Sequence, residues 1–306
     1  MHVLIAGWFS WELMGTTAGD FIAKDLVCSW LDEAGITYDV ALAKPFSFAK
    51  GVDWQKVDAK KYSDVVFVCG PFRLTWPLPE FLDFFSHCRF IGVNLSMLQP
   101  LDECNPFTLL YERDSSATIN PDLTFYAKTS KLPVVGVLLV HKQKEYGSKG
   151  MHDEANEAIK RLTDNINACI VPIDTMLEYN KGGLRTPEEI ETLISKMDVV
   201  VTTRLHGTVL AIKNGVPAIP VDPVAGGAKI TAQVKTIGWP ILFQADKLND
   251  EALMRAFEFC LTGEARLKTL ECKANAISKI KVVHNKFLSD LTNLNSATYS
   301  EAVNTT

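Results

Sequence analysis

Several signatures of metal and nucleotide sites are missing from this sequence. It has no H-E-x-x-H and no C-x-x-C, and its six histidines lie far apart, which argues against a metal-assisted hydrolase. The Walker loop, the G-x-S-x-G of serine hydrolases and the G-x-G-x-x-G of dinucleotide-binding proteins are absent too. With these signatures absent, we look for cationic side chains that could bind a small anion.

Strong charge of one sign and long apolar runs are lacking as well. The 306 residues carry a formal net charge of -5 without a strongly basic block, which argues against a nucleic-acid partner. No run reaches membrane-spanning length, and the first seven residues lack the basic region and longer apolar core of a signal peptide. The seven cysteines are scattered singly, as reduced thiols are. We therefore expect a cytoplasmic protein without a membrane span.

Short apolar runs alternate with helix-sized intervals along most of the chain. Hydrophobic residues make up 47% and charged residues 22%, an ordinary globular composition. The alternation is typical of parallel βαβ units, and polar residues at 128–133 precede a fresh buried strand. The sequence predicts an α/β fold of two Rossmann-like domains facing a cleft. They span residues 1–130 and 131–292, with a C-terminal helix along or across the domains and a flexible tail at 293–306.

The clearest candidate site follows the predicted strand at 198–203, which ends in Arg204-Leu205-His206-Gly207 before a helix. Ligands of open α/β sheets bind beyond the carboxyl ends of the strands. Arg204 offers a planar fork that matches a carboxylate or phosphate, and histidine is the side chain that titrates near neutral pH. The alternative interpretation is that Arg204 and His206 only stabilise the turn.

Two further loops could contribute cations to the same edge of the sheet. After a strand at 217–221, a loop containing Gly226 and Gly227 leads to Lys229 and another helix. Free N–H groups at such a helix start, together with a lysine, suit an anion. A cationic loop at 141–150, which begins with His141, could fold over an anionic ligand; a solvated, mobile loop is the alternative.

The first half of the chain offers two weaker candidates. Arg113 closes the predicted strand at 107–111, the same type of position as Arg204, although an ion pair with Glu112 or Asp114 explains it equally well. Asp20 begins an amphipathic helix at 20–34. A carboxylate there is the expected N-cap of the helix, with ligand binding as the less favoured reading.

These motifs resemble those of the polysaccharide pyruvyl transferases. The resemblance is carried by Arg204-Leu205-His206-Gly207, then Gly215-Val216-Pro217, then Lys229, in that order. Upstream, Arg113-Asp114-Ser115 followed by Asn120-Pro121-Asp122 is similar to the family's Arg-Asp-x-x-Ser and Asp-Pro pattern, with Asn120 in the acidic place. Gly19-Asp20 is similar to its early Gly-Asp pair. Cys69-Gly70-Pro71-Phe72 departs from the Gly-Gly-rich turn expected after the third strand.

The resemblance implies a glycosyltransferase-B-like fold and a donor, phosphoenolpyruvate, whose enolpyruvyl group moves to two sugar hydroxyls as a ketal in cell-surface polysaccharide synthesis. No other cofactor is expected. The acceptor is a sugar or glycan, with nucleotide-linked and lipid-linked forms both open. In this hypothesis His206 transfers the proton and Arg204 clamps the carboxylate or phosphate. Lys229 with the Gly226-Gly227 turn receives the leaving phosphate; the roles of Arg204 and Lys229 are exchangeable.

The remaining predicted binding residues are Gly207, Arg113, Asp20 and His141.

Two alternative functions stay open at this point. A nucleotide-sugar glycosyltransferase would have the same two-domain architecture, because a fold alone does not fix a function. A catalytically silent family member acting as a binding protein would explain Asn120 and the Cys69-Gly70-Pro71-Phe72 turn.

Overall fold

The computed structural model describes residues 1–46, 49–140 and 144–303. The chain divides into two compact units, Met1–Ser130 and Lys131–Thr306. Each contains a five-stranded parallel sheet with helices packed against it, which confirms the predicted α/β class. None of the helices within the described ranges is both long and apolar enough to span a membrane.

The first unit is built on a parallel sheet in the order β2-β1-β3-β5-β7. Its strands are β1 (His2–Ala6), β2 (Thr37–Val40), β3 (Asp64–Val68), β4 (Pro71–Phe72), β5 (Arg89–Val93), β6 (Ser96–Met97) and β7 (Leu109–Tyr111). The two short strands β4 and β6 pair with each other beyond this sheet. Its helices are α1 (Ala18–Glu33) and α2 (Leu78–Phe84).

Different side chains cover the two faces of this first sheet. On one face, Val27 of α1 packs in a cluster with Val3 and Val66 of the strands. On the other face an aromatic cluster includes Trp54 and Phe81. Most of the aromatic side chains in the segment 70–85 therefore pack in the core, as a β-sheet with apolar side chains on both faces requires.

The second unit repeats the architecture with the strand order β12-β11-β10-β8-β9, all parallel. Its strands are β8 (Val134–Leu138), β9 (Cys169–Pro172), β10 (Val199–Thr202), β11 (Ala218–Asp222) and β12 (Phe243–Gln244). Its helices are α3 (His152–Asn165), α4 (Pro187–Ile194), α5 (Leu205–Lys213), α6 (Lys229–Ile237), α7 (Asp250–Cys260) and α8 (Gly263–Val303). Strand β10 lies in the middle of the sheet and is buried along its whole length, as its apolar run predicts.

Helix α8 extends beyond the end expected from the sequence. Its backbone is helical through Val303, whereas the amphipathic pattern indicated an end near Leu291 and a frayed tail from Asn293. The physical reason is that neither proline nor glycine interrupts the chain between Gly263 and Val303. Polar residues in this stretch reduce the apolar pattern without stopping the helix.

Gly207 allows α5 to lie directly against the end of β10. A Cβ atom on Gly207 would lie 2.2 Å from the Thr202 hydroxyl oxygen and 3.3 Å from a methyl group of Leu138. The Thr202 side chain cannot easily move away, because its hydroxyl donates to the Leu138 carbonyl and accepts from the Arg204 N–H. The position therefore requires a residue without a side chain.

We expect Gly207→Ala to destabilise the second unit by about 1–3 kcal/mol, the usual cost of inserting a methyl group into a packed site. The measurement is the midpoint of urea unfolding. Gly263→Ala is the matched control, since Gly263 also stands in the first turn of a helix but a Cβ there meets nothing within 4 Å. Equal midpoints for the two variants would contradict this account of the close packing.

Candidate anion-binding site in the second unit

A small pocket lies at the carboxyl ends of the strands in the second sheet. It has a volume of about 200 Å³ and is lined by Val140, Thr175, Thr203, Arg204, Leu205, His206 and Lys229. The structure therefore brings together three residues that the sequence predicted, Arg204, His206 and Lys229. Pockets for drug-sized ligands measure roughly 300–1,000 Å³, so this pocket suits a ligand smaller than those.

Arg204 is the N-cap residue of α5, and the protein itself engages much of its guanidinium group. Nε donates to the Leu139 carbonyl at 2.7 Å, and Nη1 lies 3.4 Å from the Thr175 hydroxyl. Nη2 lies 3.1 Å from a carboxylate oxygen of Asp174, and only 14% of the side chain is exposed. A guanidinium has five N–H groups, so N–H groups on both terminal nitrogens remain for a ligand.

Asp174 and Thr175 were not identified from the sequence. They follow β9 after one intervening residue, Ile173, at the same edge of the sheet as Arg204. Asp174 offsets the charge of Arg204, which leaves less net positive charge at this point of the pocket than the sequence suggested. The one available signal was their position just beyond a predicted strand near 169–173, where polar residues of α/β proteins gather at binding sites.

His206 is the second residue of α5, and its side chain is exposed. Within the described residues, the imidazole has no hydrogen-bond partner, so both ring nitrogens are open to a ligand. The backbone N–H groups of Leu205, His206 and Gly207 in the first helical turn likewise have no acceptor in the described part of the chain. Such a helix start carries a partial positive charge that attracts anions.

Lys229 begins α6 and supplies the exposed cation of the pocket. Among the described residues it has no carboxylate partner. Its ammonium group lies 5.7 Å from the centre of the Tyr146 ring, within the distance of a cation–π contact. Tyr146 was not singled out from the sequence, because a lone tyrosine in a loop gives no local signal of its neighbours.

Backbone pairing holds the segment that carries Tyr146 beside the loop that leads to Lys229. The Met151 N–H donates to the Pro223 carbonyl at 2.8 Å, and the Ala225 N–H donates to the Lys149 carbonyl at 2.9 Å. Gly150 forms an antiparallel bridge with Val224 between these two bonds. The part of the cationic loop at 144–150 that the structure describes therefore lies against the candidate site.

The glycine turn before α6 is arranged differently from the predicted phosphate cradle. Gly226 and Gly227 have φ angles of +77° and +81°, which favour glycine. Their N–H groups already have acceptors, the Asp246 carboxylate at 3.3 Å and the Val224 carbonyl at 2.8 Å. The Asp222 carboxylate accepts four further hydrogen bonds, from the N–H groups of Val224, Ala228 and Thr231 and from the Thr231 hydroxyl. The Asp222 carboxylate thus takes the place at the start of α6 that the sequence assigned to a phosphate.

Asp20, predicted as an N-cap, stands in the first turn of α1 instead. Thr17 is the N-cap, and the helix begins two residues earlier than expected. The Asp20 carboxylate accepts from the Thr17 N–H at 2.7 Å and from the Thr17 hydroxyl at 2.8 Å, which forms a capping box. Both bonds run from Thr17 to the Asp20 carboxylate, so Asp20 supports the N-cap Thr17 from the first turn and is not itself the N-cap. The other predicted binding residue of a loop, His141, lies outside the described residues.

Arg113 is held by carboxylates of the first unit. It donates to Asp122 at 2.9 Å and to Asp114 at 3.1 Å, and it also contacts the Ser96 hydroxyl. Burial alone would raise the pKa of Asp122, but the hydrogen bonds from the Thr124 N–H and from Arg113 outweigh it and lower the pKa to about 2. Arg113 therefore has ion-pair partners of its own, including the Asp114 partner that the sequence suggested.

These features define the class of the protein: an α/β chain with a small cationic pocket at the carboxyl edge of a parallel sheet. The polysaccharide pyruvyl transferase family model matches residues 110–223. The match confirms the resemblance seen in the sequence, and the matched segment includes Arg113, Arg204 and His206. No curated protein matches the chain by sequence.

Solved structures similar to this chain include enzymes that act on sugars. UDP-GlcNAc 2-epimerase from Methanocaldococcus jannaschii is 13% identical, with 92% of this chain and 99% of that chain covered and a TM-score of 0.33. Spinosyn rhamnosyltransferase SpnG is 9% identical, with 91% of this chain and 96% of that chain covered and a TM-score of 0.33. MurG from Acinetobacter baumannii is 12% identical, with 89% of this chain and 94% of that chain covered and a TM-score of 0.32. The fold class of the present chain rests on its own two parallel sheets.

The lowered pKa of Asp122 predicts a pH-dependent contribution to the stability of the first unit. A carboxylate with a pKa of about 2 in the folded state, against about 3.9 when unfolded, stabilises the fold above pH 4. This contribution is lost as the pH falls from about 4 to 2. We therefore expect Asp122→Asn to lower the melting temperature at pH 7, and the difference from wild type to shrink through that range.

The control for this prediction is Asp83→Asn, because the exposed Asp83 carboxylate has no partner among the described side chains. Melting temperatures of the wild type and both variants are compared at each pH by circular dichroism. A deficit in Asp122→Asn that persists unchanged at pH 2 would contradict the assignment of the lowered pKa to Asp122.

Proposed function

We propose that this protein is a polysaccharide pyruvyl transferase that moves the enolpyruvyl group of phosphoenolpyruvate onto two hydroxyls of a sugar as a cyclic ketal. The observation that carries the proposal is the convergence of Arg204, His206 and Lys229 on one small pocket. The family match, over a segment that includes Arg204 and His206, supports the reaction class.

The charges around the pocket suit a small polyanion such as phosphoenolpyruvate. Lys229 has no carboxylate partner in the described part of the chain, and the free N–H groups of α5 add partial positive charge. Arg204 retains N–H groups for a ligand, although Asp174 offsets its charge. We assign the phosphate to Lys229 and the α5 amides, and the carboxylate of the donor to Arg204.

The proposed reaction begins with a proton on the enol methylene carbon of phosphoenolpyruvate, which becomes a methyl group. The cationic C2 centre is attacked by one sugar hydroxyl, which loses its proton. Inorganic phosphate then leaves, and a second hydroxyl attacks C2 and loses its proton, closing the ketal ring. His206 is assigned the first proton transfer, because its imidazole is open and lies at the pocket rim.

The remaining parts of the proposal concern the setting of the reaction. These steps require no cofactor besides the donor. The acceptor is a sugar or glycan, in a nucleotide-linked or a lipid-linked form. We place the activity in the cytoplasm, because all seven cysteines are unpaired thiols and six of them are buried.

Lys229→Met should weaken the binding of phosphoenolpyruvate about tenfold to a hundredfold. The reason is that a charge-assisted hydrogen bond contributes about 1.5–3 kcal/mol, and 1.4 kcal/mol corresponds to a factor of ten. Lys235→Met is the matched control on the same helix, since Lys235 is exposed and does not line the pocket. Affinity is measured by calorimetry and by the shift in melting temperature.

Sugar nucleotides are tested beside phosphoenolpyruvate in the same experiment. Stabilisation by a sugar nucleotide instead would favour the glycosyltransferase alternative. Unchanged phosphoenolpyruvate affinity in Lys229→Met would refute the assignment of Lys229 to the donor. Donor binding without phosphate release, whichever nucleotide-linked or lipid-linked sugar is supplied, would support the silent binding protein.

His206→Gln should lower turnover about a hundredfold to ten-thousandfold while donor affinity stays close to wild type. Glutamine keeps a hydrogen-bonding group but cannot supply a proton, and a positioned acid contributes by roughly this factor. Turnover is measured as phosphate release together with the mass gain of the sugar. Near-wild-type turnover in His206→Gln would make His206 a structural residue of the turn.

A further inference from the structure

Between Ile277 and Asn293, α8 is exposed and has one apolar face. Every side chain from Ile277 to Asn293 is exposed, although α8 is buried at Ala265, Thr269 and Cys272 nearer its start. Six large apolar side chains fall on one side of the helix when placed at 100° per residue: Ile277, Ile280, Val283, Phe287, Leu288 and Leu291. Their exposure ranges from 46% to 65%, so this face, here called the α8 face, has no partner within the described chain.

Basic side chains accompany the α8 face. Lys273, Lys279, Lys281 and Lys286 lie between residues 272 and 289, and no acidic residue occurs in that stretch. Lys279 donates to the Thr236 carbonyl, while Lys281 and Lys286 are exposed without an ion-pair partner among the described residues. This local excess of positive charge contrasts with the formal net charge of -5 on the whole chain.

The charge pattern favours an anionic surface over a second copy of the chain as the partner of the α8 face. A symmetric pairing of two α8 faces centred on this stretch would bring four lysines of each copy together, with Asp290 at the end of each face as the one acidic residue between 272 and 293. Like charges repel, so this pairing is disfavoured. An anionic lipid surface instead attracts the lysines, while the apolar face enters the boundary between headgroups and acyl chains. Long lysine side chains can also extend from the apolar zone to the headgroups.

We propose that the α8 face docks the protein onto anionic lipid bilayers as an amphipathic helix lying in the membrane surface. The helix does not cross the bilayer in this arrangement, which agrees with the lack of a spanning helix within the described ranges. Binding rests on two contributions, the burial of the apolar face and the attraction between lysines and lipid headgroups.

The test is co-sedimentation of the full chain with vesicles of equal parts phosphatidylglycerol and phosphatidylcholine, beside vesicles of phosphatidylcholine alone. We expect binding to the anionic vesicles at low salt and at least tenfold weaker binding to the neutral ones. Binding should also weaken in 1 M salt, where the screening length falls to about 3 Å. Failure to sediment with anionic vesicles at low salt overturns the proposal.

Two pairs of variants separate the contributions. Phe287→Glu should abolish binding, whereas Ile119→Glu, at an 83% exposed site in the first unit, should not. The double variant Lys281→Glu/Lys286→Glu should bind at least tenfold more weakly than Lys196→Glu/Lys247→Glu, which has the same net charge with its changes elsewhere on the surface. Equal binding within either pair overturns the role of the α8 face.

Light scattering measures the molar mass in solution and so tests whether a second copy covers the α8 face. A dimeric mass in solution that Phe287→Glu reduces to a monomer, without vesicle binding by the wild type, would assign the α8 face to a second copy and overturn the proposal. A monomeric mass with vesicle binding supports it. All of the substituted side chains are exposed, so circular dichroism should show the fold of each variant unchanged.

Discussion

The candidate site depends on the hydrogen bonds and the ion pair that the Arg204 guanidinium makes. Arg204 stands at the end of β10, and its side chain binds Leu139 beyond β8 and Asp174 and Thr175 beyond β9. Three strand ends are thereby joined by one side chain, and α5 starts at the next residue. The positions of His206 and of the free α5 amides follow from that start. Replacing Arg204 would remove both a charge and this connection, so Lys229 and His206 are the more informative positions.

Much of the second sheet could be predicted because the relevant information is local. An apolar β-branched run predicts β10, and the carboxyl-end rule of parallel sheets places Arg204 and His206 at a site. Asp174 and Tyr146 could not be found in this way. They approach Arg204 and Lys229 from loops far away in the sequence, and the strand order that brings the loops together is set by packing of the whole unit.

The sequence was least informative about which acceptor each polar donor selects. Glycine permits the positive φ angles of Gly226 and Gly227, but nothing local shows that Asp246 and Val224 accept their N–H groups. The same limit applies to the start of α1. Both Thr17 and Asp20 are good capping residues, and only the folded chain shows that they act together.

The two cations of the pocket differ in what their partners do to their charge. Asp174 holds Arg204 by an ion pair, so the pair presents little net charge to a ligand. Tyr146 contacts Lys229 through the face of its ring, which attracts the ammonium group without neutralising it. The contact with Tyr146 therefore leaves Lys229 without an acidic partner among the described residues. In the reaction we propose, Lys229 and the free α5 amides supply most of the attraction for the phosphate, and Arg204 acts mainly through directed hydrogen bonds.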